Sequence, residues 1–149
     1  MVTPNNIPTL TVGGRVFTDL SNLIILTGNC SGSSSGNGTL RKAGGTSGYT
    51  PSGSKTFVAK AIKVAFGTAG GLVQILYADV DIGASSATVF TNPVYIGGAP
   101  NSSAEITGAT SSIQESVLPD FIIPNGKFMC TNKLASATAC TIQVFGYEV

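Results

Sequence analysis

Apolar and polar positions alternate along much of this chain, in short runs separated by clusters of Gly, Pro, Asn and Ser. That period of two predicts strands rather than helices. In the run Thr138–Tyr147, Cys140, Ile142 and Val144 point one way and Thr141, Gln143, Phe145 and Tyr147 the other. Phe121–Ile123, a turn at Pro124-Asn125-Gly126, Lys127–Thr131 and Thr138–Tyr147 together predict a strand followed by a closing hairpin. The longest β pattern runs from Lys55 to Phe66. There Phe57, Ala59 and Ala61 share one face, whereas Ile62, Val64 and Phe66 fall in the next phase. The slip predicts a β-bulge, or an interior strand apolar on both sides.

The rest of the chain follows the same logic. Thr9–Val12 and Arg15–Thr18 flank Gly13-Gly14, a pair suited to a two-residue hairpin turn. Asn22–Thr27 is a short apolar run of the buried-strand kind, and Gly28–Gly38 has the composition of a surface loop. Thr39–Ala43 is a further strand. Leu72–Val80 returns beside Lys55–Phe66 as a central partner after the turn at Gly67–Gly71. Thr88–Phe90 and Val94–Ile96 are short strands interrupted at Asn92-Pro93, because proline donates nothing to an interior ladder. Glu105–Ser112 reads as a polar strand at an edge or facing another subunit, and Ser111–Val117 has room for one helical turn. The expected fold is a single all-β domain over residues 1–149, an antiparallel β-sandwich of jelly-roll type. Residues 1–8 form an extended arm, and Thr3, Pro4, Asn5, Asn6, Ile7 and Pro8 are its candidate partner-binding residues.

Charge changes the picture. Charged residues are 10% of the 149, with a net charge of +1, against about 25% in ordinary soluble proteins. A chain so weakly charged has little electrostatic protection against association, which favours a place in an assembly, with a homo-oligomer expected. Balanced charge also argues against a nucleic-acid partner, since Arg41-Lys42 is the one adjacent basic pair. No run has the length of an apolar membrane span, and the first residues lack the basic and apolar regions of a secretory signal. Synthesis in a reducing cytosol and no membrane partner are the expectations.

Candidate chemistry is sparse. Without histidine a Ser-His-Asp triad is excluded, and no cofactor or metal is expected. Asp79 and Asp81 lie on one side of a strand end, at a separation open to glycosidase chemistry. With Ile82-Gly83 they also echo the first half of a calcium loop, although Ala84-Ser85-Ser86-Ala87 supplies no later ligand. The simpler reading is carboxylates that accept backbone hydrogen bonds in a turn. Lys55 and Lys127 follow equivalent turns and suit strand edges. Three cysteines do not make a disulfide framework. Cys130 and Cys140 would face each other in a hairpin turned about Ala135, as a bridge or as two buried thiols, and Cys30 adjoins the Gly/Ser loop. The expectation is a protein that is not an enzyme.

Two stretches share an order of Pro, Gly, Lys and aromatic: Pro51-Ser52-Gly53-Ser54-Lys55-Thr56-Phe57 and Pro124-Asn125-Gly126-Lys127-Phe128. With GYTPSGSKTFVAKAIKVAF, VQILYADVDIG and FIIPNGKFMC…TIQVFGYEV, the chain resembles small β-sandwich structural proteins of tailed bacteriophage virions. The likeness covers roughly residues 49–83 and 121–149. Capsid decoration or cement proteins and the jelly-roll heads of fibres are the groups it resembles. The resemblance implies a virion protein assembled in the host cytoplasm, commonly a trimer, that binds the major capsid protein on the outside of the head. The alternative it implies is a fibre or receptor-binding module whose loops Gly28–Gly38 and Gly97–Ser103 recognise host glycans.

Overall fold

Gly13 and Gly14 adopt φ of 60° and 87°, a region that glycine enters without steric cost. They close the predicted hairpin between β1 (Leu10–Val12) and β2 (Arg15–Phe17), with Leu10 opposite Phe17 and Val12 opposite Arg15. The computed structural model describes residues 8–30, 37–66, 73–78, 81, 90–96, 113–133 and 140–149. Among these residues all regular structure is strand.

Nine further strands build two antiparallel sheets. They are β3 (Ile24–Cys30), β4 (Asn37–Thr39), β5 (Arg41–Lys42), β6 (Phe57–Phe66), β7 (Val73–Ala78), β8 (Phe90–Ile96), β9 (Ile113–Ile123), β10 (Phe128–Lys133) and β11 (Cys140–Glu148). One sheet has the order β5-β3-β11-β6-β9 and the other β4-β10-β7-β8. The pairing is nested: β3 with β11, β4 with β10, β6 with β9 and β7 with β8. The chain is thus one long antiparallel hairpin, folded so that its successive rungs fall in alternate pairs into the two sheets. Leu40, wholly buried, is the corner where the chain leaves the four-stranded sheet at β4 and joins the five-stranded sheet at β5. Its N–H donates to the Met129 carbonyl at 2.9 Å, and its own carbonyl accepts the Tyr49 N–H at 2.8 Å.

The sheets face each other across a core that includes Leu26, Phe57, Ile62, Ile142 and Val144 from the larger sheet and Met129 from the smaller. The other face of the larger sheet is covered as well. The β1–β2 hairpin lays Val12 and Phe17 onto Ala61 and Phe145, with the Phe17 ring 6.1 Å from those of Phe145 and Tyr147. Gly13 N–H fixes the hairpin to β9 by donating to Glu115 Oε2 at 2.9 Å, and Glu115 also meets Lys63 Nζ at 3.6 Å.

β6 is buried on both faces, and the set of residues it sends to each face shifts at Lys60. The pairing of β6 with β11 and with β9 skips Lys60. Phe57 and Ala59 before it, and Ile62 and Val64 after it, all reach the inter-sheet core, while Ala61 reaches the hairpin side. The bulge therefore sits one residue earlier than the sequence pattern indicates. Opposite it, Gly146 has no room for a side chain. A β-carbon there would overlap the Val58 carbonyl oxygen and lie 2.7 Å from Phe57 Cζ.

Several pairings differ from expectation. Lys127–Thr131 and Thr138–Tyr147 do not form a hairpin: β10 lies between β4 and β7, and β11 between β3 and β6, in different sheets. β7 is interior as expected, but pairs with β10 and β8 rather than with β6. Thr39–Ala43 divides at Leu40 into strands of both sheets. Asn92-Pro93 does not break β8; the strand continues with a register shift between Ile75 and Tyr77 of its partner. The interruption is tolerated because β8 is an edge strand, where a missing N–H costs no ladder bond. Ile113–Val117 is strand, not a helical turn. Gly28–Cys30 and Asn37–Gly38 belong to β3 and β4, which narrows the expected loop to residues 31–36, outside the described residues. The strand expected at Glu105–Ser112 also lies outside them.

Gly146→Ala should destabilise the fold by about 1–3 kcal/mol through overpacking against backbone. Urea unfolding measures it, as a lowered midpoint at unchanged slope.

Candidate functional site

The two Pro/Gly turns come together at one end of the molecule. Lys55 N–H donates to the Ser52 carbonyl at 3.0 Å across the first, and Lys127 N–H to the Pro124 carbonyl at 3.1 Å across the second. Gly53 and Gly126 supply φ of 56° and 76°. Asn125 ties the turns to one another, its Nδ2 donating to the carbonyls of Pro51, at 3.3 Å, and Gly53. The repeated order of residues thus marks neighbouring structures. Lys55 and Lys127 precede β6 and β10, both interior strands, so neither lysine protects a sheet edge.

Glu148 organises the same end. Its Oε1 accepts from Tyr49 Oη at 2.7 Å and from Ser52 N–H at 3.1 Å, and its Oε2 accepts from Ser52 Oγ at 2.6 Å. The Ser52 hydroxyl bond leads the effects that hold the Glu148 carboxyl below its usual range, with Tyr49 and Lys42 adding to it. Burial, then the neighbouring Glu148, push the Tyr49 phenol far up, so it stays protonated as a donor. Lys42 lies 5.3 Å from the Tyr49 ring centre, a cation–π contact. Arg41 and Lys42 are exposed in the short edge strand β5, as a solvated basic pair would be.

Beside this knot runs an open groove of about 570 Å³, lined in part by Asp19, Asn22, Lys55, Lys60 and Tyr147. Asp19 is ionised: Asn22 and Ser21 donate to it at 3.0 Å, and these bonds lower its carboxyl, Asn22 most. Burial, then the charge of Asp19, raise the Tyr147 phenol. Both carboxylates at the groove, Asp19 and Glu148, are thus held ionised. Carboxylate, amide, ammonium and phenol groups together line one groove.

A third surface is apolar. On the edge strand β9, Ile113, Val117 and Ile122 are 59%, 46% and 50% exposed, and Val16 on the nearby hairpin is 55% exposed. These branched side chains form a strip along the rim of the larger sheet that is interrupted by Glu115 and its ion pair with Lys63. Pro119 lies in the same strand, where the β6 register shifts between Ala59 and Ala61.

Of the residues singled out from sequence, Thr3, Pro4, Asn5, Asn6 and Ile7 lie outside the described residues, and Pro8 is exposed. Asp81 does accept a backbone N–H, but that of Gly48 at 2.8 Å, 33 residues earlier in the chain and not in the turn beside it. Its partner Asp79 lies outside the described residues, as does the stretch Gly97–Ser103. Among the described residues no three His, Cys, Asp or Glu side chains are grouped to hold a metal ion, and no helix is long and apolar enough to cross a membrane. Glu148 and Asn125 escaped the sequence reading; the repeated turn was the one signal that pointed towards them. No family model matches the chain, and no curated protein matches it.

Glu148→Ala leaves the buried Tyr49 hydroxyl without its acceptor and should cost about 1–3 kcal/mol. The pH dependence has a definite sign. Because folding lowers the carboxyl from its ordinary value of 4.5, the contribution is complete above that pH and lost as pH falls through the folded value. The gap in melting temperature between the parent and Glu148→Gln should therefore be open at neutral pH and close in acid. A gap that widened in acid would contradict the assignment.

Proposed function

We propose that this chain is a non-catalytic structural subunit of a tailed bacteriophage virion, a decoration or cement protein. On this reading it docks on the outer surface of the head, as a homotrimer, and strengthens joints between major capsid subunits. The observation that carries the reading is the exposed strip of Ile113, Val117, Ile122 and Val16 on a chain with a net charge of +1. Exposed branched side chains on a chain with so little charge suit burial against other subunits. The nested pairing supports a jelly roll. With β5 set aside, the strand orders β3-β11-β6-β9 and β4-β10-β7-β8 are those of a rolled double hairpin, an architecture common in viral capsid and lectin domains.

The groove favours a second reading, a fibre or receptor-binding module. Tyr147 offers an aromatic surface, and Asp19 and Asn22 offer hydrogen bonds of the kind that hold sugar hydroxyls. Glycan-array binding lost on Tyr147→Ala, with the protein located at the tail, would favour this reading over cementing.

On the cementing reading, Val117→Lys and Ile122→Lys should keep the melting temperature near that of the parent, since both side chains are exposed, while greatly reducing occupancy on shells lacking the protein. Quantitative gel densitometry of sedimented shells measures occupancy; undiminished occupancy would remove the strip from the interface. Deleting Met1–Pro8 should likewise lower occupancy, and shells heated with and without bound protein should differ in rupture temperature.

A further inference from the structure

β11 follows β10 in the chain yet lies in the other sheet, and this changes which cysteines meet. The register sets Cys140 opposite Cys30, whereas Cys130 stands opposite Thr39 and Leu76. Position 140 keeps the parity of Ile142 and Val144, and position 30 that of Leu26, all residues of the inter-sheet core. Both positions therefore lie on the core-facing side of the larger sheet. Position 130 follows the core residue Met129 and falls on the opposite face of the smaller sheet.

Directly opposed residues of an antiparallel pair share a face, with Cα atoms about 4.5–5.5 Å apart. Disulfides span Cα separations of roughly 4.4–6.8 Å. We propose that Cys30 and Cys140 form a cross-strand disulfide when the folded protein meets a low-molecular-weight disulfide such as oxidised glutathione, and that Cys130 remains a thiol.

The exchange balances. The thiolate of one cysteine attacks oxidised glutathione, forming a mixed disulfide and releasing one glutathione. The other cysteine attacks the protein sulfur of that mixed disulfide and releases the second glutathione. The two protein thiols give up two electrons and two protons, and one oxidised glutathione becomes two reduced ones. The bond joins β3 to β11, the outermost rung of the nest, so the loop it closes contains every other rung. A loop of that length restricts the unfolded chain strongly.

The test equilibrates the full chain with glutathione buffers, alkylates the remaining thiols and maps peptides without reduction. The expected result is one linked pair carrying Cys30 and Cys140, one alkylated site at Cys130, and a melting temperature that falls when reductant is added. Cys130→Ser should keep both the link and the shift, and Cys140→Ser should lose both. A link through Cys130, glutathione adducts alone on Cys30 and Cys140, or alkylation at all three sites would overturn the proposal. The parent's peptide map decides the matter even if a variant fails to fold.

Discussion

The larger sheet buries apolar side chains on both of its faces where β6 and β11 run side by side, and the β6 residues that reach the inter-sheet core change parity at Lys60. Phe57, Ala59, Ile62 and Val64 are required by the inter-sheet core, and Ala61 by the β1–β2 hairpin. No unbroken period of two accommodates that set. Skipping Lys60 in the pairing resolves the conflict, and the same irregularity reaches β11 between Phe145 and Gly146 and β9 around Pro119. The bulge sets the position of Phe145 against Phe17, hence the hairpin, and the course of β9, hence its exposed strip.

Local chemistry made the elements legible and left their partners hidden. Gly13-Gly14 specifies a hairpin whose strands are neighbours in sequence, so a few residues hold all the information. The phase slip in β6 was likewise visible, because it is written in successive side chains. Which sheet a strand joins is not written locally. β10 and β11 have the spacing and pattern of a hairpin, yet each finds partners far earlier in the chain: β4 and β7 for one, β3 and β6 for the other. Alternation identifies a strand and its buried face, and both sheets offer the same core to that face. The cysteine pairing failed for the same reason. The partner of Cys140 depends on sheet membership, and Cys30 is distant in sequence.

The groove and the Glu148 knot were less legible still. Glu148 was one of seven carboxylates in the sequence, and nothing near it in the chain announces Tyr49 or Ser52. The three meet because β11 and β6 pair through Glu148 and Phe57, and because Thr56 and Val149 exchange backbone hydrogen bonds of 2.9 Å. Asp81 was legible only as an acceptor of backbone hydrogen bonds; its partner, the Gly48 amide, lies 33 residues away in the chain. Gly48, whose amide it accepts, admits no β-carbon without striking the Asp81 carboxyl group at 2.7 Å.

β11 occupies the middle of the larger sheet although it follows every other described strand in the chain. During synthesis, both of its neighbours emerge from the ribosome well before it does. Until it arrives, β3 and β6 each present a ladder of unpaired amides and carbonyls, edges that invite pairing with other nascent chains. The larger sheet can therefore close only once β11 is available, and a chain lacking that strand exposes both ladders at once.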